Sequence, residues 1–162
     1  MYSSFEDRLN TASPLLDQGV DLGIAELEPF AQQGLITDVY SQLTSGKEAT
    51  VYCCRAHPAT HRKFLAAKVY REHAADAYRR DTTYFQGRER VLKARTRRAI
   101  ERGTAFGRQA MRYAWVAAEY DALSRLSAAG ADVPAPIELS GSVILMEFLG
   151  NGNGPAPHLH GI

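Results

Sequence analysis

The chain has 162 residues, a length that suits one domain with a short appendage. Hydrophobic residues make up 45% of it and charged residues 23%, which excludes a disordered or collagen-like polypeptide. A formal net charge of +1 excludes a general polyanion binder acting through bulk charge.

The first ten residues, Met1 to Asn10, are charged and lack the apolar centre of a secretory signal. No apolar run is long enough to span a bilayer. Residues 1–36 read as a small helical lead-in. Ser13-Pro14 can start a helix, since proline is tolerated in the first turn, and Gly34 is placed to stop one.

Three strand-like pieces follow at Val39–Leu43, Ala49–Arg55 and Lys63–Tyr70. Cys53 and Cys54 are adjacent on the second, so they point to opposite faces and do not form a structural disulfide. No metal-type spacing surrounds them, and a reducing, cytoplasmic compartment is expected. From Arg79 to about Arg108 the apolar pattern dissolves into a long basic stretch, expected to be a loop or a helix lying loosely outside the sheet. Periodicity returns at Met111, Trp115, Ala118, Ala122, Leu123 and Leu126, which predicts an amphipathic helix ended by Gly130. Val133-Pro134-Ala135-Pro136 is an extended connector. Ile137–Leu139 and Val143–Phe148 make a last hairpin, and residues 151–162 read as an irregular exit. The predicted class is α+β, a five-stranded antiparallel sheet with one long helix laid on it.

Three features carry chemistry. The turn Ser45-Gly46-Lys47-Glu48-Ala49 joins two strands, so it is no Walker loop, which needs a helix behind it. Its glycine lets the backbone approach a ligand, and Ser45 and Lys47 can reach phosphate oxygens; a plain hairpin turn is the other reading. Lys68 interrupts the apolar strand Ala66-Ala67-Lys68-Val69-Tyr70. Alternation puts Ala66, Lys68 and Tyr70 on one face. Either the ammonium reaches water along the strand edge, or it has an acidic partner. Glu119, on the inward side of the long helix, is the natural one, and the two groups are then expected within about 4 Å. An ordinary solvated helix glutamate is the alternative.

Taken together these motifs resemble the N-terminal lobe of the RIO family of atypical serine/threonine protein kinases. The Ser45–Ala49 turn resembles the family's short substitute for a glycine-rich loop. Ala66–Tyr70 resembles the strand of the ATP lysine, and Trp115 to Leu123 the helix with its pairing glutamate. Leu145-Met146-Glu147-Phe148-Leu149-Gly150 resembles the gatekeeper and hinge, and Pro155-Ala156-Pro157 the segment beyond. The short lead-in fits the branch without a winged-helix domain. The resemblance implies a kinase-like N-lobe over 37–150. It implies that Ser45, Gly46 and Lys47 lie along the ATP phosphates, with Glu48 also in the ATP-binding turn, and that Lys68 pairs with the phosphates and with Glu119. It implies Val51 and Ala66 over the adenine, Met146 behind it, and the Glu147 carbonyl and Leu149 amide, flanking Phe148, at its edge.

Phosphoryl transfer also needs an aspartate near the acceptor hydroxyl and side chains on Mg²⁺. The family carries these in a second lobe, in a His-x-Asp type loop and a later aspartate. No His-x-Asp occurs among these residues, and His158 and His160 lack the aspartate. A missing C-lobe is therefore expected, with the 162-residue chain inactive alone. Val51, Met146 and Phe148 are then expected to lie partly open. Of the basic stretch, Arg95, Arg97 and Arg98 are the candidate nucleic-acid contacts, with a solvated loop as the plain reading. A non-catalytic module binding RNA, a ribosomal partner or another protein is the competing function.

Overall fold

The computed structural model describes residues 22–72, 94–151 and 154–157. Ser13-Pro14, residues 79–93 of the basic stretch, and His158 and His160 lie outside the described residues.

A single 3₁₀ turn, Ala25–Leu27, leads into helix α1, Glu28–Gln32. Pro29 sits in the first turn of α1, where its missing N–H costs nothing. Gly34 ends the helix at φ +69°, and the Leu35 amide reaches back to the Phe30 carbonyl at 2.9 Å. That is the six-to-one closure of a left-handed cap, which a residue with a Cβ adopts at a cost.

Five strands then build one antiparallel sheet: β1 Ile36–Ser45, β2 Ala49–Ala56, β3 Phe64–Tyr70, β4 Pro136–Ser140 and β5 Val143–Glu147. Their order across the sheet is β1-β2-β3-β5-β4. The two most apolar strands, Phe-Leu-Ala-Ala-Lys-Val-Tyr and Val-Ile-Leu-Met-Glu, lie side by side near its middle. A strand buried on both faces needs a continuous apolar run rather than alternation. The edge strands are less regular. β1 is offset from β2 at three bulges, and β4 carries Pro136 and a fourth bulge against β5.

Each face has its own core. On one face Leu22, Leu27, Phe30, Ile36, Cys54, Leu65, Ala67, Val143 and Leu145 pack together. The helix of the expected lead-in, α1, is part of this core: Leu27 and Phe30 are wholly buried. On the other face Ala66, Tyr70, Ile144 and Met146 meet Val116 of the long helix.

The long helix differs from the sequence expectation at its start. It begins at Ala105 rather than near Met111, and of the two alternatives for the basic stretch, loop or helix, its described part is largely helical: helix α2 runs over Ala94–Glu101 and helix α3 over Ala105–Ala128. Arginine is a good helix former, and dense charge hid the pattern. Gly103 turns the chain at φ +64°, and the Thr104 hydroxyl accepts the Gly107 amide at 3.0 Å as the cap of α3. Gly107 lies so close to α2 that a Cβ there would overlap the Ala99 carbonyl. Past β5, the expected irregular exit instead contains a two-residue hairpin, β6 Gly150–Asn151 with β7 Gly154–Pro155.

Cys53 and Cys54 are free and buried on opposite faces of β2. Burial pushes the Cys53 thiol from 9.0 up to about 11. Burial, then the neighbouring Cys53 and Asp38 charges, push Cys54 up to about 12.

Two outcomes are expected. Replacing Phe30 with alanine empties a fully enclosed site, so urea unfolding should register a loss of about 3–5 kcal/mol; a loss below about 1 kcal/mol would mean that α1 is not part of the core. The two thiols stay protonated and enclosed at pH 8, so iodoacetamide should leave both unmodified in the folded chain and label both in urea. Because the folded chain holds these protons more tightly than the unfolded one, stability should also fall as pH rises above about 9.

Candidate nucleotide site

The register of the sheet gathers a small platform around Lys68. Lys68 lies opposite Val51 on β2 and Ile144 on β5, and Ala66 lies opposite Cys53 and Met146. Residues 49, 51, 66, 68, 70, 144 and 146 therefore share the face on which α3 rests. Ala66 and Met146 are buried, while Val51 and Phe148 are half-buried. Met146 is thus closed off, at 9% exposure, rather than partly open as the sequence suggested, because α3 and the neighbouring strands cover it.

Glu119 enters this platform from α3. It follows the fully buried Val116 by three residues and precedes Leu123 by four, so it shares their sheet-facing stripe. The Lys68 ammonium donates to Glu119 Oε1 at 2.7 Å. Lys68 Nζ also lies 4.9 Å from the centre of the Tyr70 ring, which adds a cation–π contact. The two charged side chains keep 28% and 30% of their exposure. A pair so open to water contributes at most about 1 kcal/mol to folding, so stability alone does not explain a lysine here. The arrangement holds an ammonium in a fixed place with an open side.

The Ser45–Glu48 turn is exposed at the end of the same strands. The Gly46 amide donates to the Ala49 carbonyl at 2.9 Å and the Arg71 amide to the Glu48 carbonyl at 2.9 Å. The Arg71 guanidinium donates to the hydroxyls of Ser45 and, at 3.3 Å, Thr50, and those two hydroxyls lie 3.2 Å apart. Arg71 was not singled out from the sequence. The signal was the pairing of Ala49 with Tyr70, which sets residue 71 beside the turn. Tyr70 was noticed only as a same-face neighbour.

At the exit of β5, Glu147 is fixed from three sides. Arg62 donates to its Oε1 at 3.3 Å, the Ala135 amide to its Oε2 at 3.3 Å, and its own amide donates to the Ala135 carbonyl at 2.8 Å. The Phe148 ring meets Phe64 edge-on at 5.7 Å. Leu149 is exposed, and its carbonyl accepts the Ala156 amide at 2.9 Å.

Arg95, Arg97 and Arg98 are exposed on α2 and stand apart from this platform. Arg97 pairs loosely with Glu101 at 3.9 Å, and Arg95, Arg98 and Arg102 line a cavity of about 310 Å³ closed by Ala99 and Thr104. Among the described residues no group of three histidine, cysteine, aspartate or glutamate side chains could hold a metal ion. The residues described do not by themselves fit a magnesium site.

With this geometry in view, comparison with known proteins is informative. The family model described as RIO domain matches residues 50–162. The chain belongs to the RIO domain family. It is 29% identical to the serine/threonine-protein kinase RIO1 of Chaetomium thermophilum over 99% of this chain and 30% of that protein. It is 30% identical to the same-named kinase of Saccharomyces cerevisiae, over 79% of this chain and 28% of that protein. It is 30% identical to the RIO-type serine/threonine-protein kinase Rio1 of Haloferax volcanii, over 92% of this chain and 48% of that protein. The chain thus spans less than half the length of these relatives. The α+β sheet-and-helix architecture of this RIO domain fits the kinase-like N-lobe that its motifs resemble.

The Arg71 bridge yields a local expectation. Arg71→Ala should speed amide hydrogen exchange at residues 45–48 by about tenfold or more, since each hydrogen bond to a charged group contributes roughly 1.5–3 kcal/mol. Amides of β3 and β5 should exchange as before. Unchanged exchange in the turn would show that Arg71 does not order it.

Proposed function

We propose that the Lys68 face is the nucleotide site of a RIO-type serine/threonine protein kinase or ATPase. The observation that carries the reading is the 2.7 Å Lys68–Glu119 pair, set in an otherwise apolar face beside an exposed glycine turn. A half-exposed lysine whose angle is fixed by a glutamate can grip a phosphate without losing its charge. Under this reading Ser45, Gly46 and Lys47 lie along the ATP phosphates, with Glu48 completing the ATP-binding turn. Val51 and Ala66 present a flat surface to the adenine, small enough at Ala66 to admit a ring. Met146 backs the ring, and the Glu147 carbonyl and Leu149 amide, on either side of Phe148, meet its polar edge. ATP bound there supplies the phosphoryl group.

The domain reading is a lead-in over 1–36, an N-lobe over 37–150 and a hinge exit over 151–162. The acceptor-side aspartate and the magnesium ligands are assigned to a C-lobe outside these 162 residues, because no His-x-Asp motif is found within them. The cytoplasm is the proposed compartment, on the strength of two free thiols. Among the described residues no helix is long and apolar enough to cross a membrane.

A second reading rests on α2. Its exposed Arg95, Arg97 and Arg98 offer charge to RNA phosphates or to a protein partner. If RNA is the ligand, neutralising Arg95 and Arg98 together should flatten the salt dependence of binding by about two contacts.

Calorimetry with Mg-ATP and a radiolabel transfer assay test the main reading. The 162-residue chain is expected to bind ATP weakly, because one lobe encloses only part of the ligand, and to transfer no phosphate. Lys68→Ala should remove the residual binding. Robust turnover by this chain, abolished by Lys68→Ala, would show that the assignment of the remaining catalytic groups to a C-lobe is wrong.

A further inference from the structure

Strand β5 ends at Glu147, one residue past Met146 of the platform. Its register with β4 pairs Met146 with Pro136, so the next pair outward is Glu147 with Ala135. A hydrogen-bonded antiparallel pair exchanges two bonds, each amide going to the other residue's carbonyl. One of the two is made in the regular way: the Glu147 amide donates to the Ala135 carbonyl at 2.8 Å. The Ala135 amide goes instead to the Glu147 side chain, 3.3 Å from Oε2. On the other flank the Tyr70 amide donates to the Ser142 carbonyl at 2.9 Å. Alternation from there places the bonds to β3 on Ile144 and Met146 and passes over Glu147. The carboxylate thus stands in for the backbone, and the Glu147 carbonyl is left outside the ladder where the chain leaves the sheet.

A side chain keeps such a place only if something holds it. Arg62 does so, donating to Oε1 at 3.3 Å. It comes from the connection between β2 and β3, whose shape is fixed by its own bonds. The Thr60 amide and hydroxyl both donate to the His57 carbonyl, at 2.9 and 2.8 Å, and the Thr60 hydroxyl accepts the Arg62 amide at 3.3 Å. His61, just before the arginine, has φ +54°, a left-handed conformation that a residue with a Cβ adopts at a cost. Local strain therefore sits at the residue that directs Arg62 toward the end of β5. The ion pair itself is open to water, with 42% and 35% of the two side chains exposed, so it adds little to folding. Its effect is to fix which oxygen meets the Ala135 amide.

We propose that Arg62 and the Glu147 carboxylate are positioning residues for base recognition: by taking up the Ala135 amide they leave the Glu147 carbonyl to accept the 6-amino group of a bound adenine. The inference rests on the reading of the Lys68 face as a nucleotide site. It gives the pair a role in preferring a purine with a hydrogen-bond donor at position 6 over one with a carbonyl oxygen there.

Titration of the 162-residue chain with ATP and with inosine triphosphate, followed by ¹H–¹⁵N NMR, measures that preference even where binding is weak. The two nucleotides share ribose and phosphates and differ in the base at position 6. ATP is expected to bind about tenfold more tightly, the scale of one hydrogen bond. Glu147→Ala should bring the two affinities together by weakening ATP alone, and Arg62→Ala should do so in part. Tripolyphosphate binding should be the same in all three chains. Glu147→Gln keeps an oxygen for the Ala135 amide and should keep the preference, whereas a merely structural role would move both nucleotides equally. Without nucleotide, the scalar coupling across the hydrogen bond from the Ala135 amide nitrogen should be missing at the Glu147 backbone carbonyl. It should appear at the carbonyl of position 147 in Glu147→Ala. That coupling in the unmutated chain, or an ATP-to-inosine-triphosphate ratio unchanged in both alanine variants, overturns the proposal and leaves the nucleotide site standing. No response to either nucleotide or to tripolyphosphate overturns the nucleotide site, and the base preference with it.

Discussion

One ammonium sets the terms for the sheet. β3 is buried on both faces and yet carries Lys68 near its centre. A charge in that place must be answered, and the strand itself offers no acid. The answer comes from a residue 51 positions further along the chain, Glu119, delivered by α3. For the carboxylate to arrive, Val116 must be pressed against Ala66, Ile144 and Met146, which fixes the rotation of the helix. The apolar packing is therefore what makes the ion pair possible. The ion pair adds little to stability and much to the placement of a positive charge.

The opposite face of the sheet does a different job. It is sealed by residues from before the first strand, above all Leu27 and Phe30. With that side closed, the strands are held as a stiff plate, and the chemistry-bearing side chains are left on the other side. The two buried cysteines mark the division, one thiol to each side of β2.

Much of this was legible in the sequence, and the reason differs by element. β2, β3 and β5 declare themselves because their apolar runs are short and bounded by Gly46, Pro58 and Gly141. Lys68 was conspicuous as a charge in the interior of such a run, and Glu119 followed from its stripe on α3. Whether residues 94–101 are loop or helix was left open by the sequence. There the face toward α3 is small and its outer side is arginine, so the hydrophobic period is faint; the informative residues were Thr104, as a cap, and Gly107, as a point of close approach. Met146 was expected to be more open than it is, since sequence does not reveal how far a packed helix covers a strand. Arg71 and Arg62 escaped notice for one shared reason. Their significance lies in what stands across from them, a turn hydroxyl in one case and the Glu147 carboxylate in the other, and neither relation is local in the chain.

The irregular edges of the sheet carry one more consequence. A straight outer strand is a template: its free amides and carbonyls invite another chain to add a strand and continue the sheet. β1 departs from regular spacing three times, and β4 begins with a proline that has no amide to offer and is itself offset. An incoming strand would keep register with either border for only two or three residues before meeting a mismatch. This five-stranded plate is therefore finite by construction, and contacts with other molecules fall to its faces and its helices rather than to growth along its borders.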